Sequence, residues 1–356
     1  MLENLTETQT VRSDREERDE TALPVPGPVS VDPRVAAVIP CFRGRDTIVA
    51  VIRAIGPEVD RIYVVDDGCP DGSGEHVARE CADPRVVILH NARNLGVGGA
   101  MKTGYRRALG DGASILIKLD ADGQMDAALI PHLLAPILAG EADYAKGNRF
   151  APAHMMPGRR RADSMPFVRK VGNNILSFVH KAVTGYWNIF DPTNGYTALH
   201  RDALASIDLD AVADCYFFET DLLFQLNLAG AVVRDVPLPA SYSDEISNLS
   251  VRTVLRRFPA LVVGRFWKRI GVKYFAQDFN VASLEIALGL PLLIAGMSFG
   301  LWRWIAAVES GVANSAGTVM FAALPIIVGF QLLLAAISYD VQHVPKAPIA
   351  GRRGRV

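Results

Sequence analysis

The sequence predicts an α/β domain built on a mostly parallel sheet, followed by amphipathic interfacial helices and a pair of transmembrane helices. Three observations predict it. Between residues 35 and 240, short apolar β-rich runs alternate with helical stretches, the pattern of parallel strands joined by crossover helices. Residues 246–277 hold no acidic residue but carry Arg252, Arg256, Arg257, Arg265, Lys268, Arg269 and Lys273. Beyond them lie two long apolar segments, each without charge.

Composition sets the outer bounds. The 356 residues are 50% hydrophobic, with a mean hydropathy of +0.18. Such a chain buries a core, which excludes wholesale disorder. Lys and Arg number 37 against 38 Asp and Glu, so no global positive charge drives nucleic-acid binding, and no nucleic-acid partner is expected. Cys41, Cys69, Cys81 and Cys215 lie far apart with no CxxC pair. That spacing speaks against a disulfide scaffold or a structural zinc site and fits a reducing compartment.

In chain order, residues 1–34 are polar and acidic, ending in the Pro-Gly stretch Pro24, Pro26, Gly27, Pro28 and Pro33. They read as a disordered tail and linker without the apolar core of a secretory signal. The 35–245 region follows. Its strands are expected at Val35–Pro40, Arg61–Asp66, Arg85–His90 and Ser114–Leu119, with helices around 46–55, 75–82, 97–109 and 126–139. Sites in such sheets form at the carboxyl ends of strands. Here those ends carry Asp66-Asp67 and Asp120-Ala-Asp122. Two acids one residue apart on a turn leaving a strand supply oxygen ligands suited to Mg²⁺ or Mn²⁺ bridging to phosphates. Asp66-Asp67 also reads as a helix-capping turn, and both readings stay open.

The segment Gly96-Val-Gly-Gly-Ala-Met-Lys102-Thr103 almost spells a phosphate-binding P-loop, but Met101 stands where that loop needs glycine. A P-loop-like NTPase is therefore a damaged alternative. The surviving expectation is a glycine-rich helix start whose N–H groups face a diphosphate.

The basic 246–280 region places Val251, Val254, Leu255, Phe258, Leu261 and Val262 at helical spacing, with a break expected near Pro259. A basic amphipathic helix beside a span lies in the interface of an anionic leaflet, so membrane lipids are expected partners. Residues 286–302 and 318–339 are uncharged, and about 20 apolar residues cross a bilayer as helix, giving two spans within 281–340. The first needs Glu285 at the interface. Gly289, Gly296 and Gly300 permit close helix packing and leave oligomerisation through the spans open. Lys346, Arg352, Arg353 and Arg355 follow in the basic 341–356 tail, against only Arg303 and Glu309 between the spans. The positive-inside rule then expects a plasma (inner) membrane protein with catalytic domain and both termini cytoplasmic.

Taken in order, the strings VIPCF (38–42), VVDDGCPDGS (64–73), NLGVGGAMKTGY (94–105), LDADGQ (119–124), GNRF (147–150), DPTNGY (191–196), FFETDLL (217–223) and VPLP resemble the inverting family-2 glycosyltransferases. Within them the chain resembles the polyprenyl-phosphate glycosyltransferases, including the bacterial type with two C-terminal membrane helices, from about Val35 to Tyr339. The resemblance implies a GT-A fold, a nucleotide-sugar donor, with a UDP-sugar expected, and a polyprenyl phosphate acceptor. It implies donor contacts from Pro40, Asp66 and Asp67. It implies a divalent cation, Mg²⁺ or Mn²⁺, on Asp120, Asp122 and Gln124. It implies arginines on the acceptor phosphate, by position Arg149 and Arg169, and an acidic helix near the acceptor, by position Glu219 and Asp221. The catalytic set so implied is Asp122, Arg149, Glu219 and Asp221. The chain departs from the family at Phe42-Arg43-Gly44, where Tyr-Asn-Glu is usual, and in SYSDEISNLS (241–250), which lacks Arg and Lys. The processive-synthase motif QxxRW is absent. A membrane-anchored glycosyltransferase with a non-lipid acceptor and a binding-only scaffold are the remaining alternatives.

Overall fold

The computed structural model describes residues 33–149, 167–238 and 251–350. Residues 1–32 of the expected tail, the segment 241–250, and Arg352, Arg353 and Arg355 lie outside the described residues, as do the side chains of Arg169, Arg252, Arg256 and Arg257.

Strands β1 (Val35–Cys41), β2 (Arg61–Asp66), β3 (Val86–His90) and β4 (Ile115–Lys118) alternate with helices α1 (Ile48–Ala54), α2 (Ser73–Glu80), α3 (Val97–Gly110) and α4 (Ile130–Leu138), each strand within a residue of its expected bounds. Then come β5 (Tyr144–Asn148), α5 (Phe167–Thr184), β6 (Thr197–His200), α6 (Arg201–Ala205), α7 (Phe218–Leu228) and β7 (Val233–Pro237). The sheet order is β3-β2-β1-β4-β6-β5-β7. Only β6 runs against the rest, antiparallel to both β4 and β5. This is the mostly parallel GT-A arrangement. Its consequence is geometric: the carboxyl ends of β1, β2, β4, β5 and β7 share one edge, and β6 begins there. The strings around Asp66, Asp120, Arg149 and Asn194 are brought together by topology alone.

Alternation along the strands builds two cores. Ala37, Ile39, Ile62, Val64 and Ile117 face α1 and α4 through Ile48, Ile52, Ile130 and Leu133. Ala36, Val38, Val65, Leu116 and Tyr144 face α3 and α7 through Met101, Tyr105, Phe218 and Leu222.

Helix α8 (Val251–Gly271) runs unbroken through Pro259, correcting the expected break. Proline removes one backbone donor, but tertiary contacts hold the helix. Phe258 packs edge-on against Phe217 at 5.5 Å, and Arg265 pairs with Asp221 at 2.6 Å. A π-helical turn, Val272–Gln277, leads into α9 (Val281–Ser310) and α10 (Ala316–Gln342). Asn280 caps α9, its side chain accepting from the Ala282 N–H while Ser283 accepts from the Asn280 N–H. At 1.5 Å rise per residue, roughly 40–45 Å of each helix exceeds a bilayer core. The most apolar windows of the two have hydropathy 1.8 and 2.3, and side chains such as Ile294, Met297, Phe321 and Ile327 stand exposed. The helices touch through their glycines. A Cβ at Gly329 would sit 2.7 Å from the Gly289 carbonyl and the Leu293 nitrogen, and one at Gly296 would meet Ile326 at 2.8 Å. Gly289 and Gly296 are thus occupied within the hairpin, and Gly300 meets only Ala322, at 3.4 Å.

Two buried carboxylates fasten this hairpin to the sheet domain. Asp340, near the end of α10, accepts from Arg269 at 2.8 and 2.9 Å, from Trp187 Nε1 at 2.8 Å and from the Tyr274 hydroxyl, with Lys273 at 3.5 Å. Arg269 also donates to the Ala182 carbonyl at the end of α5. Asp143, ahead of β5, accepts from the backbone N–H groups of Val232, Ile349 and Ala350 at 2.8–3.1 Å. Val344 and Ile349 pack against the same core, so the chain returns from α10 onto the sheet domain.

Candidate active site

At the edge where β4 ends, Asp120 and Asp122 leave the strand on a tight turn. Asp122 Oδ1 accepts from the Gln124 N–H at 2.9 Å, and Gly123 takes the left-handed φ of 75° that the turn requires. The Thr47 hydroxyl reaches the Ala121 carbonyl at 2.5 Å, joining this turn to the segment after β1. Gly44 lies against it too, since a Cβ there would be 3.1 Å from Ala121 Cβ. The departure at Phe42-Arg43-Gly44 is therefore partly steric. Arg43 sits at φ 59°, a region that asparagine tolerates and arginine rarely adopts, and Phe42 is exposed beside it.

Lys118, the last residue of β4, is the feature that sequence reading missed. It is 2% exposed, and its ammonium bridges Asp120 at 2.7 Å and Glu219 at 3.2 Å. Burial alone would push its pKa down, but the two carboxylates more than offset this and hold it above the usual lysine range. Gly195 of the DPTNGY string covers the pair. A Cβ there would overlap the Lys118 ammonium and come within 3.0 Å of Asp120. The available signal was local: ILIKL places a lysine inside an apolar strand, where an ammonium needs partners.

Glu219 and Asp221 part company. Two positions along an α-helix turn the side chain by roughly 200°. Glu219 faces Lys118, whereas Asp221, wholly buried, accepts from Arg265 of α8 and from the Ala213 N–H. Asp221 thus ties α8 to the sheet domain rather than joining the cluster on β4.

Arg149 follows β5 and forms a two-pronged pair with Asp191, Nε at 2.7 Å and NH2 at 3.0 Å. Asp191 is fully buried, while the arginine side chain is 35% exposed. Beside them Lys146, buried on β5, donates to the Asn194 carbonyl. Burial pushes its ammonium down to about 8, although Glu219 and Asp191 pull the other way. Sequence reading missed Lys146 and Asp191 as well.

The two acids after β2 organise loops. Asp66 accepts from the N–H groups of Cys69 and Gly74, both at 2.8 Å, closing its own turn and holding the first turn of α2, whose N-cap position is Gly72. Asp67 accepts from Asn91 Nδ2 at 2.7 Å and from the N–H groups of Leu95 and Gly96 at 3.0 and 2.8 Å. Pro40 is half-buried at the same edge. The glycine-rich start of α3 corrects an expectation. The Gly98 and Gly99 N–H groups donate to the Asp214 carbonyl, at 2.8 and 3.3 Å, so they do not cradle an anion. The glycines let the 213–215 backbone approach. Lys102 is turned away as well, held by the Val212 carbonyl and by Asp214 at 2.7 Å. This geometry removes the P-loop reading.

Among the described residues no three His, Cys, Asp or Glu side chains cluster as a metal cage. The donor set still fits a hard cation of the Mg²⁺ or Mn²⁺ kind. Such ions use one or two carboxylates and complete their shell with substrate phosphates and water. Asp122, with Gln124 on its turn, and Asp120 are the oxygen donors on this edge.

Helix α5 packs against α8 and leaves Ile175, Leu176 and Phe178 exposed, with Phe190 exposed just beyond. This apolar face went unread in the sequence, where only the 246–280 region was expected at the interface.

A family model described as "Glycosyl transferase family 2" matches residues 36–208. The undecaprenyl-phosphate mannosyltransferase of Micrococcus luteus is 33% identical over 210 residues, 58% of this chain and 82% of that protein. The polyprenol monophosphomannose synthase of Mycolicibacterium smegmatis is 34% identical over 229 residues, 62% and 83% of the two chains. Among solved structures, a glucosyl-3-phosphoglycerate synthase from Mycobacterium tuberculosis in complex with Mn²⁺ and UDP-glucose is 20% identical. It covers 67% of this chain and 80% of that one, with a TM-score of 0.46.

Proposed function

The chain belongs to glycosyl transferase family 2, and we propose that it transfers a sugar from a nucleotide-sugar to a polyprenyl phosphate at the cytoplasmic face of the plasma membrane. The observation that carries this reading is a juxtaposition. A DxD turn is held in a sheet domain that is fastened, through Asp221–Arg265 and Asp340–Arg269, to an interfacial helix and a hairpin long enough to span a bilayer. The exposed apolar face of α5 extends that interface. The two relatives named for polyprenyl or undecaprenyl acceptors support the same acceptor class. The return of Ile349 and Ala350 to Asp143 supports a catalytic domain and a C-terminal segment on one side of the membrane.

In this reading Asp122, Asp120 and Gln124 would hold Mg²⁺ or Mn²⁺. The cation supplies charge stabilisation to the departing nucleoside diphosphate. Pro40, Asp66 and Asp67 shape the pocket for the nucleotide, the two acids by holding their loops. Arg149, braced by Asp191, presents a cation to the acceptor phosphate, and Arg169 is proposed to join it. Glu219 stands near the acceptor and shares the Lys118 ammonium with Asp120. The acceptor oxygen is already anionic, so the protein contributes positioning and electrostatics more than proton removal. Displacement with inversion gives a polyprenyl-phosphate-linked monosaccharide, a product suited to cell-envelope glycan assembly.

The test is a transfer assay on the detergent-solubilised protein. It takes undecaprenyl phosphate, a panel of UDP- and GDP-sugars including the mannose donor, and Mg²⁺ or Mn²⁺, with EDTA and Asp122→Asn as controls. A glycolipid from one donor that is lost in both controls is expected. Full transfer by Asp122→Asn would sink the metal assignment, and no product from any donor would sink the acceptor.

A further inference from the structure

We propose that Cys41 and Cys69 are a reversible redox pair, and that their oxidation to a disulfide disables the nucleotide edge of the sheet. The pairing of the thiols stands on their own geometry. Its effect on nucleotide binding rests on the donor role proposed above for Asp66 and Asp67.

The two cysteines lie 28 residues apart in the chain, and the sheet brings them together. Cys41 ends β1 opposite Asp66 of β2, and the turn that Asp66 closes carries Cys69 back to the end of β1. The Cys69 thiol donates to the Cys41 carbonyl at 3.3 Å, and its sulfur accepts from the Arg43 N–H at 3.2 Å. The Cys41 thiol is in hydrogen-bond contact with the Cys69 thiol and the Ser73 hydroxyl. Neither cysteine is in a disulfide. Cys41 is 1% exposed and Cys69 is partly exposed, so an oxidant reaches Cys69 first and Cys41 is the thiol that resolves it. Burial pushes the Cys41 thiol up to about 12 and raises that of Cys69 as well. Little thiolate is present at neutral pH, so the reduced pair is the resting state and only a sustained oxidant closes it.

The oxidant class is a peroxide. The Cys69 sulfur, as thiolate, attacks one peroxide oxygen, breaks the O–O bond and becomes a sulfenic acid. The Cys41 sulfur then attacks the Cys69 sulfur, the S–S bond forms, and the sulfenic oxygen leaves as water. Two thiols and one hydrogen peroxide give one disulfide and two waters. Two electrons pass from sulfur to oxygen, and both thiol protons end in water.

The consequence follows from what the sulfurs now hold. The Cys41 carbonyl also accepts from the Asp67 N–H at 2.9 Å, and Asp67 holds the N–H groups of Leu95 and Gly96. A bridge withdraws Cys69 Sγ from the Cys41 carbonyl and from the Arg43 N–H. It therefore displaces the loop of Phe42-Arg43 and the loop of Asp66-Asp67 together.

The experiment exposes the full-length protein in detergent to hydrogen peroxide. The protein is then denatured, its free thiols are alkylated, and peptide mass spectrometry reads the linkage. UDP and GDP, each with Mn²⁺, are the binding probes before oxidation, after it, and after dithiothreitol. Cys41–Cys69 should be the main linkage. Affinity for the nucleotide that the reduced protein binds should fall at least about tenfold, the worth of one or two lost hydrogen bonds, and return on reduction. Cys69→Ser and Cys41→Ala should each bind within about threefold of the reduced wild type and keep that affinity after peroxide. Either variant decides the point if the other fails to fold. No linkage, or a linkage to Cys81 or Cys215 instead, would overturn the pairing. A bridge that leaves affinity unchanged, or an equal loss in the variants, would overturn the switch. A reduced wild-type protein that binds neither nucleotide would instead overturn the donor reading, while the linkage result still decides the pairing.

Discussion

Replacing Asp340 by alanine should unfasten the membrane hairpin from the sheet domain at a cost that the structure lets us work out. The carboxylate is 4% exposed and takes bonds from Arg269, Trp187 and Tyr274, with Lys273 nearby. Its removal leaves Arg269, at 1% exposure, with the Ala182 carbonyl as its one remaining partner among the described residues. Breaking a buried pair from one side costs about 3–5 kcal/mol. The Trp187 N–H and Tyr274 O–H each lose a partner, at about 1 kcal/mol apiece. A total of about 4–6 kcal/mol follows, allowing for non-additivity between neighbours. Arg269→Met should be costly for the same reason. The double variant Arg269→Met/Asp340→Leu, which removes both charges, should recover most of the loss. The assay is chemical denaturation in a fixed detergent, followed through tryptophan fluorescence, with the four proteins forming a double-mutant cycle. A cost of about 1 kcal/mol or less for Asp340→Ala, or strictly additive losses in the double variant, would refute the reasoning, because a single coupled network predicts neither.

Three further outcomes are expected. Arg43→Asn should raise the denaturation midpoint by about 0.5–1 kcal/mol equivalent, because asparagine tolerates the φ of 59° that arginine resists; an unchanged or lower midpoint contradicts the strain. Gly329→Ala should destabilise the hairpin by about 1–3 kcal/mol, since its Cβ would lie 2.7 Å from backbone atoms of α9, whereas Gly300→Ala should be nearly neutral; thermal midpoints in detergent compare the two. Asp235 has its carboxyl raised to about 6, chiefly by burial, despite the nearby Lys146 and Lys181. The folded pKa lies above the unfolded one, so its contribution to stability is present below about pH 4 and lost as pH rises through about 6, a change of up to about 3 kcal/mol. Asp235→Asn should therefore be more stable than wild type at pH 8 but not at pH 4, and denaturation at both pH values checks it.

The parts of the fold that could be read early are those whose cause is local. β1 to β4 are apolar runs between turn residues, and each of the two long helices holds a long uncharged stretch, 286–302 and 318–339, so their patterns carry their structure. β5, β6 and β7 read YAKGN, TALH and VRDVP. These strands are four or five residues long with polar residues among the apolar ones, and no periodicity announces them. The glycines of α3 were misread for a different reason. Their partner is the backbone at Asp214, more than a hundred residues away, and nothing near Gly98 points to it. Glu219 and Asp221 were separable in principle, since two helical positions face nearly opposite ways. The same holds for Lys118, whose place in an apolar strand was itself a signal. Asp191 could not be reached from sequence, because its meaning depends on the arginine that β5 delivers to it.

Asp143 has a bearing on how the protein is made. Its carboxylate is fully buried, and two of its three backbone donors belong to Ile349 and Ala350. A ribosome synthesises those residues only after both long helices have been translated. Until then the Asp143 carboxylate of the nearly complete sheet domain has, of these three donors, only the Val232 N–H, so its final consolidation waits on insertion of the hairpin. A fragment cut before α8 to obtain a soluble enzyme would never receive those donors. Its poor behaviour would then reflect a missing closing segment rather than a missing membrane.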